Sequence, residues 1–273
     1  MLDARRLADL DSFVLELNRA SAEVILPLFR ADHGLEDKGG AKGFDPVTAA
    51  DRGAEAAIRK LIAERFPDHG VVGEEYGRDR EDAEFVWVLD PVDGTRAFIA
   101  GLPVWTTLIS LRHEGAPTLG SIGQPYIGEV FIGHAGGSRL VSRGGERPLA
   151  VRACPDLSQA IIHSTDPSSY FEPVERDAWR ELNRRAKLSR LGCDAYAYAM
   201  VAAGTMDLVA ESRVCKAWDI EVAVPLIAGA GGVVSDWEGQ PIGLGGGQIA
   251  MAGDRACLDQ AIEILREGAL PPG

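Results

Sequence analysis

Cysteine is scarce in this chain and poorly arranged for cross-linking: the four thiols, Cys154, Cys193, Cys215 and Cys257, are scattered with no C-x-x-C pair. That spacing suits neither a disulfide framework nor a zinc site, so reduced thiols in a cytoplasmic protein are expected. Long apolar runs are missing too. Nowhere do about 18 apolar residues follow one another, and the first turns of sequence carry acids without the apolar core of a signal peptide, so neither a membrane span nor secretion is expected. Positive charge is in deficit: 28 Lys and Arg stand against 41 Asp and Glu, and 28 − 41 gives a formal net charge of −13. That sign argues against nucleic acid or an anionic membrane as a partner. It leaves an anionic small molecule open, because bound divalent cations reverse the local sign of a site. No internal repeat or long low-complexity linker occurs, and His33, His69, His113, His134 and His163 show no metal-ligand spacing.

What is present is an ordinary globular composition, 46% hydrophobic and 25% charged over 273 residues, enough for one large domain or two halves sharing a core. Apolar residues three and four apart predict an amphipathic helix from Asp3 to about Arg30. A polar, glycine-rich loop with Lys38 and Lys42 follows, then a helix capped by Thr48 or Asp51 and stopped at Pro67. Val71-Val72 reads as a strand running into Gly73-Glu74-Glu75. Phe85 to Leu89 reads as a buried strand running into Asp90, where Pro91 is expected to end the pairing. Further strands at Thr106–Leu111, Pro117–Gly123, Val130–Gly133 and Arg139–Ser142 complete an N-terminal α+β half over residues 1–148. An α/β half over residues 149–273 is expected to complete the active site. Within it, a helix from Ile220 to Ala230 should be kinked by Pro225.

The chemistry lies in separated acids. Asp90 and Asp93 share a short loop, where they repel each other, and one is forced neutral unless a cation sits between them. Hard divalent cations such as Mg2+ take oxygen ligands, often one or two carboxylates plus waters and substrate phosphate. Glu74, Asp90, Asp93 and Asp219 can supply those oxygens, with the Val92 carbonyl available in the loop. Two ions about 4 Å apart would clamp a phosphoryl displacement by water. The Thr95 hydroxyl can orient that water or accept its proton, especially if Glu74 or Asp51 bonds to it. If Gly94 and Thr95 open a helix, its N–H groups favour the phosphate. Taken singly these signals are bland: Glu-Glu pairs are usually solvated, Asp-Gly is usually a turn and Asp before a helix usually a cap. Their combination is what points to metal-assisted chemistry.

The segments Gly73-Glu74-Glu75, Trp87 to Thr95 (WVLDPVDGT), and Trp218-Asp219 followed by Gly229-Ala230-Gly231-Gly232 resemble the signature regions of the inositol monophosphatase superfamily of Mg2+-dependent, lithium-sensitive phosphatases. The likeness spans nearly the whole chain. It implies a layered α-β-α-β-α sandwich, two or three Mg2+ ions, inhibition by Li+, a small phosphate monoester as substrate and a homodimer. By the same resemblance Glu74, Asp90, Asp93, Asp219 and the Val92 carbonyl are metal ligands, and Thr95 activates the water. Asp51 is then the acid bonded to that threonine, Glu75 a neighbouring site acid, and the Lys38 loop a contributor to a third, weaker metal position. The segments Phe44 to Thr48, Gly94 to Pro103 and Cys193 to Tyr198 resemble the histidinol-phosphate phosphatases. Histidinol carries an ammonium and an imidazole, so its pocket should hold acids beyond the metal ligands, and Asp194 and Glu211 are candidates. Neutral inositol would instead ask for hydroxyl-matching bonds, which Glu211 could also make, although it stands eight residues before Asp219, one more than the family spacing. Arg96 and Arg190 are further candidate substrate contacts, weighed against ordinary solvated arginines. Trp105, Trp218, Tyr196 and Tyr198 read as packing residues. The alternatives are an inositol-1-monophosphatase, a promiscuous sugar or nucleotide phosphatase, and an inactive metal-binding regulator, the last disfavoured because every ligand position and Thr95 are intact.

Overall fold

The computed structural model describes residues 3–32, 34–37 and 46–271. His33, Lys38, Lys42, Phe44 and Asp45 therefore lie outside the described residues. Helix α1, Ala4–Ile25, is capped by Asp3, whose Oδ1 accepts from the Arg6 N–H at 2.8 Å. It passes into a 3-10 turn at Leu26–Leu28 instead of running to Arg30, because Pro27 cannot continue α-helical pairing. The short strands β1 (Glu36–Asp37) and β2 (Pro46–Val47) pair antiparallel. Helix α2, Ala49–Arg65, starts on a reciprocal capping box between Thr48 and Asp51.

An eight-stranded sheet follows, built from β3 (Gly70–Gly73), β4 (Gly77–Asp79), β5 (Phe85–Asp93), β6 (Thr106–His113), β7 (Ala116–Gln124), β8 (Glu129–His134), β9 (Gly137–Ser142) and β10 (Gly145–Pro148), with the short helix α3 (Thr95–Ile99) after β5. Its order is β10-β9-β8-β7-β6-β5-β3-β4, antiparallel except where β3 runs parallel to β5. The second sheet comprises β11 (Ile161–Ser164), β12 (Leu188–Leu191), β13 (Leu208–Glu211), β14 (Val233–Ser235) and β15 (Ile249–Ala252), in the order β12-β11-β13-β15-β14. The helices of this part are α4 (Pro167–Tyr170), α5 (Pro173–Arg185), α6 (Tyr196–Ala202), α7 (Ala217–Ile220), α8 (Ala223–Gly229) and α9 (Arg255–Leu265).

The two-residue alternation of strands sorts the side chains into layers. Trp87, Leu89, Ile109 and Leu111 bury against Leu10, Phe13 and Leu17 of α1 and Ile58 and Ile62 of α2. Leu108, Ile122 and Phe131 face the other way, onto α6 and α8, and Val209, Ile249 and Met251 of the second sheet close on the same helices. Leu208, Ala210, Ala250 and Ala252 bury against α5 and α9. The result is five layers, helix, sheet, helix, sheet, helix.

Two local expectations are corrected. Pro91 does not end the strand: Asp90 pairs with Leu108 and Asp93 with Thr106, with a register shift between them. Three steps along β5 thus match two along β6, which is one extra residue, a bulge. In a regular strand Asp90 and Asp93, three apart, would point to opposite faces; the extra residue puts both on one face. The second correction concerns Pro225. Instead of a single kinked helix there are two, α7 and α8, and Pro225 falls in the first turn of α8, where its missing N–H costs no intrahelical bond.

Candidate active site

The bulge of β5, the turn after β3, the loop before α6 and helix α7 bring the acids together. Asp90 is 3% exposed and its Oδ1 accepts from the Val92 N–H at 3.0 Å. Burial first, then the charges of Glu74, Asp93, Asp219 and Asp51, hold its carboxyl well above the usual range. Asp93 is raised likewise, by burial and then by Asp194. Two donors oppose this: the Ala195 N–H at 2.8 Å and the Thr106 hydroxyl at 3.2 Å, both on Asp93 Oδ2. Asp219, in the first turn of α7, is pushed up to about 6 by burial, with the Lys216 N–H at 2.6 Å and the Lys216 charge pulling it down. Glu74 follows β3, its N–H bonded to the Leu89 carbonyl at 3.2 Å. Glu75 lies 4.0 Å from Arg52.

Carboxylates that raise one another in this way are a donor set short of positive charge, and hard oxygen ligands suit Mg2+. Among the described residues no three acids, histidines or cysteines converge into a finished metal cage. The residues that would hold Mg2+ are Glu74, Asp90, Asp93, Asp219 and the Val92 carbonyl.

Thr95 opens α3 behind Gly94. Its hydroxyl lies 3.1 Å from the Val92 carbonyl and 3.5 Å from Asp51 Oδ1. The other Asp51 oxygen is held by the Thr48 N–H at 2.8 Å and its hydroxyl at 2.5 Å, so the acid is locked by its own helix cap. Gly94 is in the left-handed region, φ 79°, and a Cβ there would come within 2.9 Å of Asp194 Oδ2. Asp194 itself has φ 44°. Its carboxyl is pushed up to about 6 by burial, with the Arg96 guanidinium opposing. Arg96 stacks over the Tyr170 ring at 4.8 Å, so it stands at the rim of the acid group.

Glu211 ends β13, buried, accepting from the Thr165 N–H at 3.0 Å, the Thr165 hydroxyl at 3.0 Å and the Ser164 hydroxyl at 3.2 Å. Burial lifts it to about 8, and Asp194 contributes to that rise. It is thus tied into the end of β11 beside the Asp194 loop. Arg190 is exposed on the edge strand β12, and its charge is felt by His163 and by Cys193, the neighbour of Asp194. Of the aromatic residues, Trp105 and Tyr198 are buried, and the Tyr196 hydroxyl donates to Glu129 at 2.7 Å. All four cysteines are free. Thr106 and Tyr170 had no sequence signal, since each reaches the acids only through strand register or packing.

The inositol monophosphatase family model matches residues 6–269. A chloroplastic bifunctional phosphatase of Arabidopsis thaliana is 44% identical over 81% of this chain, which spans 62% of that relative's length. A histidinol-phosphatase of Chlorobaculum parvum is 34% identical over 71% of this chain and 74% of its own. A solved inositol monophosphatase from Zymomonas mobilis superposes with a TM-score of 0.84 at 32% identity, covering 97% of this chain and 100% of that one. The chain belongs to the inositol monophosphatase family, a family of phosphoric monoester hydrolases.

Proposed function

We propose that the protein is a Mg2+-dependent phosphomonoesterase that hydrolyses L-histidinol phosphate to L-histidinol and phosphate. The observation that carries the substrate reading is Asp194: a left-handed turn delivers one more carboxylate to the edge of the Gly94-Thr95 loop, with its Oδ2 2.9 Å from where a Gly94 Cβ would stand. An acid in that place suits a cationic amine attached to the phosphate ester. The name of the Chlorobaculum relative supports the same reading. Inositol phosphate is the second reading, favoured by the likeness to the Zymomonas structure.

When bound, Mg2+ polarises the ester and lowers the pKa of coordinated water. The chain's own residues orient the attack. Asp51, immobilised by Thr48, stands ready to accept a hydrogen bond from the Thr95 hydroxyl through Oδ1 in competition with the Val92 carbonyl, and either bond leaves a Thr95 lone pair to accept a hydrogen bond from the attacking water. Gly94 leaves the loop open for a close approach of the phosphate. Asp194 holds the leaving alcohol by its ammonium. Inhibition by Li+, a homodimer and a cytoplasmic site of action belong to the same proposal.

Steady-state rates on L-histidinol phosphate, inositol 1-phosphate and a 3′-phosphonucleotide, measured side by side, test it. Histidinol phosphate should give the highest kcat/KM by about tenfold or more, the discrimination available from one buried charge partner. Asp194→Asn should erase that preference while sparing inositol 1-phosphate. A higher kcat/KM on inositol 1-phosphate for the unaltered protein would overturn the substrate assignment.

A further inference from the structure

Helix α2 carries a second buried acid, one turn beyond Asp51, that the reaction as described does not use. Glu55 is fully buried. Its Oε2 accepts from the Glu75 N–H at 2.8 Å and its Oε1 from the Tyr76 N–H at 3.2 Å. Arg59, one turn further on, donates from Nε to Oε1 at 2.7 Å and also to the Gly77 carbonyl. The carboxylate thus fills the mouth of the turn that carries Glu74, and Gly73 leaves it room: a Cβ on Gly73 would overlap the Glu55 side chain.

The same helix face therefore grips both halves of the site. Asp51 holds the Thr95 side of the β5 loop, and Glu55, four residues later, holds the turn after β3. The two carboxylates stand four residues apart on the helix, a rise of about 6 Å. We propose that Glu55 is a positioning residue that fixes Glu74 relative to the Asp90–Asp93 bulge and thereby sets the affinity of the site for its divalent cation. The proposal rests on the reading that Glu74 is a metal ligand. A carboxylate satisfied by two backbone N–H groups and an arginine holds a rigid turn, and without it those N–H groups lose their acceptor.

The test is Mg2+ binding itself, followed by titration calorimetry, with kcat read separately at saturating Mg2+. Glu55→Gln presents an NH2 group where the turn offers N–H donors, and should weaken Mg2+ binding 10- to 100-fold, the effect of losing an outer partner of a ligand. At saturating Mg2+ its kcat should return to within about threefold of the unaltered protein, because Glu55 touches neither substrate nor the reacting atoms. Gly73→Ala changes no charge and pushes the Glu55 carboxylate off its donors, so it should reproduce the binding loss even if Glu55→Gln fails to fold. Glu74→Gln is run in parallel. If Glu74→Gln weakens Mg2+ binding while Gly73→Ala and Glu55→Gln leave it unchanged, the positioning role is wrong. If Glu74→Gln itself leaves binding unchanged, the ligand reading beneath it has failed, and the positioning role with it.

Discussion

Asp93 ties three segments together at one carboxylate, accepting from Thr106 of β6 and from Ala195, 102 residues away, while lying on the same face of β5 as Asp90. Replacing it with Asn keeps the size and one acceptor and removes a buried charge that its neighbours disfavour. Asp93→Asn should lower Mg2+-dependent kcat/KM on a phosphate monoester by at least about 100-fold. The metal-free protein should melt no lower than the unaltered one, since relief of repulsion offsets the weakened bonds. Unchanged turnover would sink the ligand assignment. Legibility at this scale followed sequence distance. The Thr48-x-x-Asp51 cap could be read because its partners are three residues apart. The left-handed Asp194 turn could not, because it answers to packing against Gly94, a hundred residues upstream.

The break between α7 and α8 shows how elements are fixed against each other. At that junction Glu221 is buried and Arg112 of β6 meets it with both Nε, at 2.8 Å, and an NH2 group that also reaches the Leu244 carbonyl at 3.2 Å. Side-chain exposure is 11% for Arg112 and 1% for Glu221. The pair pins the start of α8, and with it the Asp219 turn, onto the sheet. Arg112→Met should lower the unfolding free energy obtained from urea titration by about 3 kcal/mol, because it strands a buried acid rather than because the pair itself is strongly favourable. An Arg112→Met, Glu221→Leu double variant should recover most of the loss. The sequence predicts one helix through this region, opened by Trp218-Asp219 and stopped by Gly231-Gly232. The break was hidden because Pro225 is equally compatible with a kink or with a first turn.

At the scale of the whole molecule, acid sensitivity should be read in the stacked core beneath β5. His69 lies between Phe66 and Phe85, with ring centroids 4.5 and 4.8 Å away. Its Nδ1 accepts from Trp87 Nε1–H at 3.1 Å and Nε2 faces the Arg6 guanidinium at 3.2 Å. With Nδ1 accepting from Trp87, the neutral ring carries its one proton on Nε2 beside the Arg6 guanidinium, and a second proton on Nδ1 would break the Trp87 bond and add a charge next to Arg6. Burial, with Arg6 next, lowers its pKa to about 4. A histidine whose folded pKa is depressed contributes stability that is present above its unfolded value, about 6.5, and is lost as the pH falls towards the folded one. The stability advantage of the unaltered protein over His69→Gln should therefore shrink by about 2 kcal/mol between pH 8 and pH 5. Taking the difference between the two proteins cancels the site acids, which respond in the opposite sense. Parallel urea curves with a pH-independent gap would refute it.

The layered class of the fold followed from the resemblance of the chain's motifs to a known family, while the amino-acid order by itself determined the Thr48-Asp51 cap, the strand that runs into Asp90 and the set of acids able to hold a cation. Those features are written in short periods and neighbouring residues, which a chain expresses before it meets the rest of itself. Tertiary structure alone decided which acids share a face, because the parity of Asp90 and Asp93 is set by a bulge against β6. It also decided that Asp194 lies against Gly94 and that Glu55 accepts from the turn that follows Glu74. Such relations depend on strand register and helix packing between residues far apart in sequence, where no local period reports them.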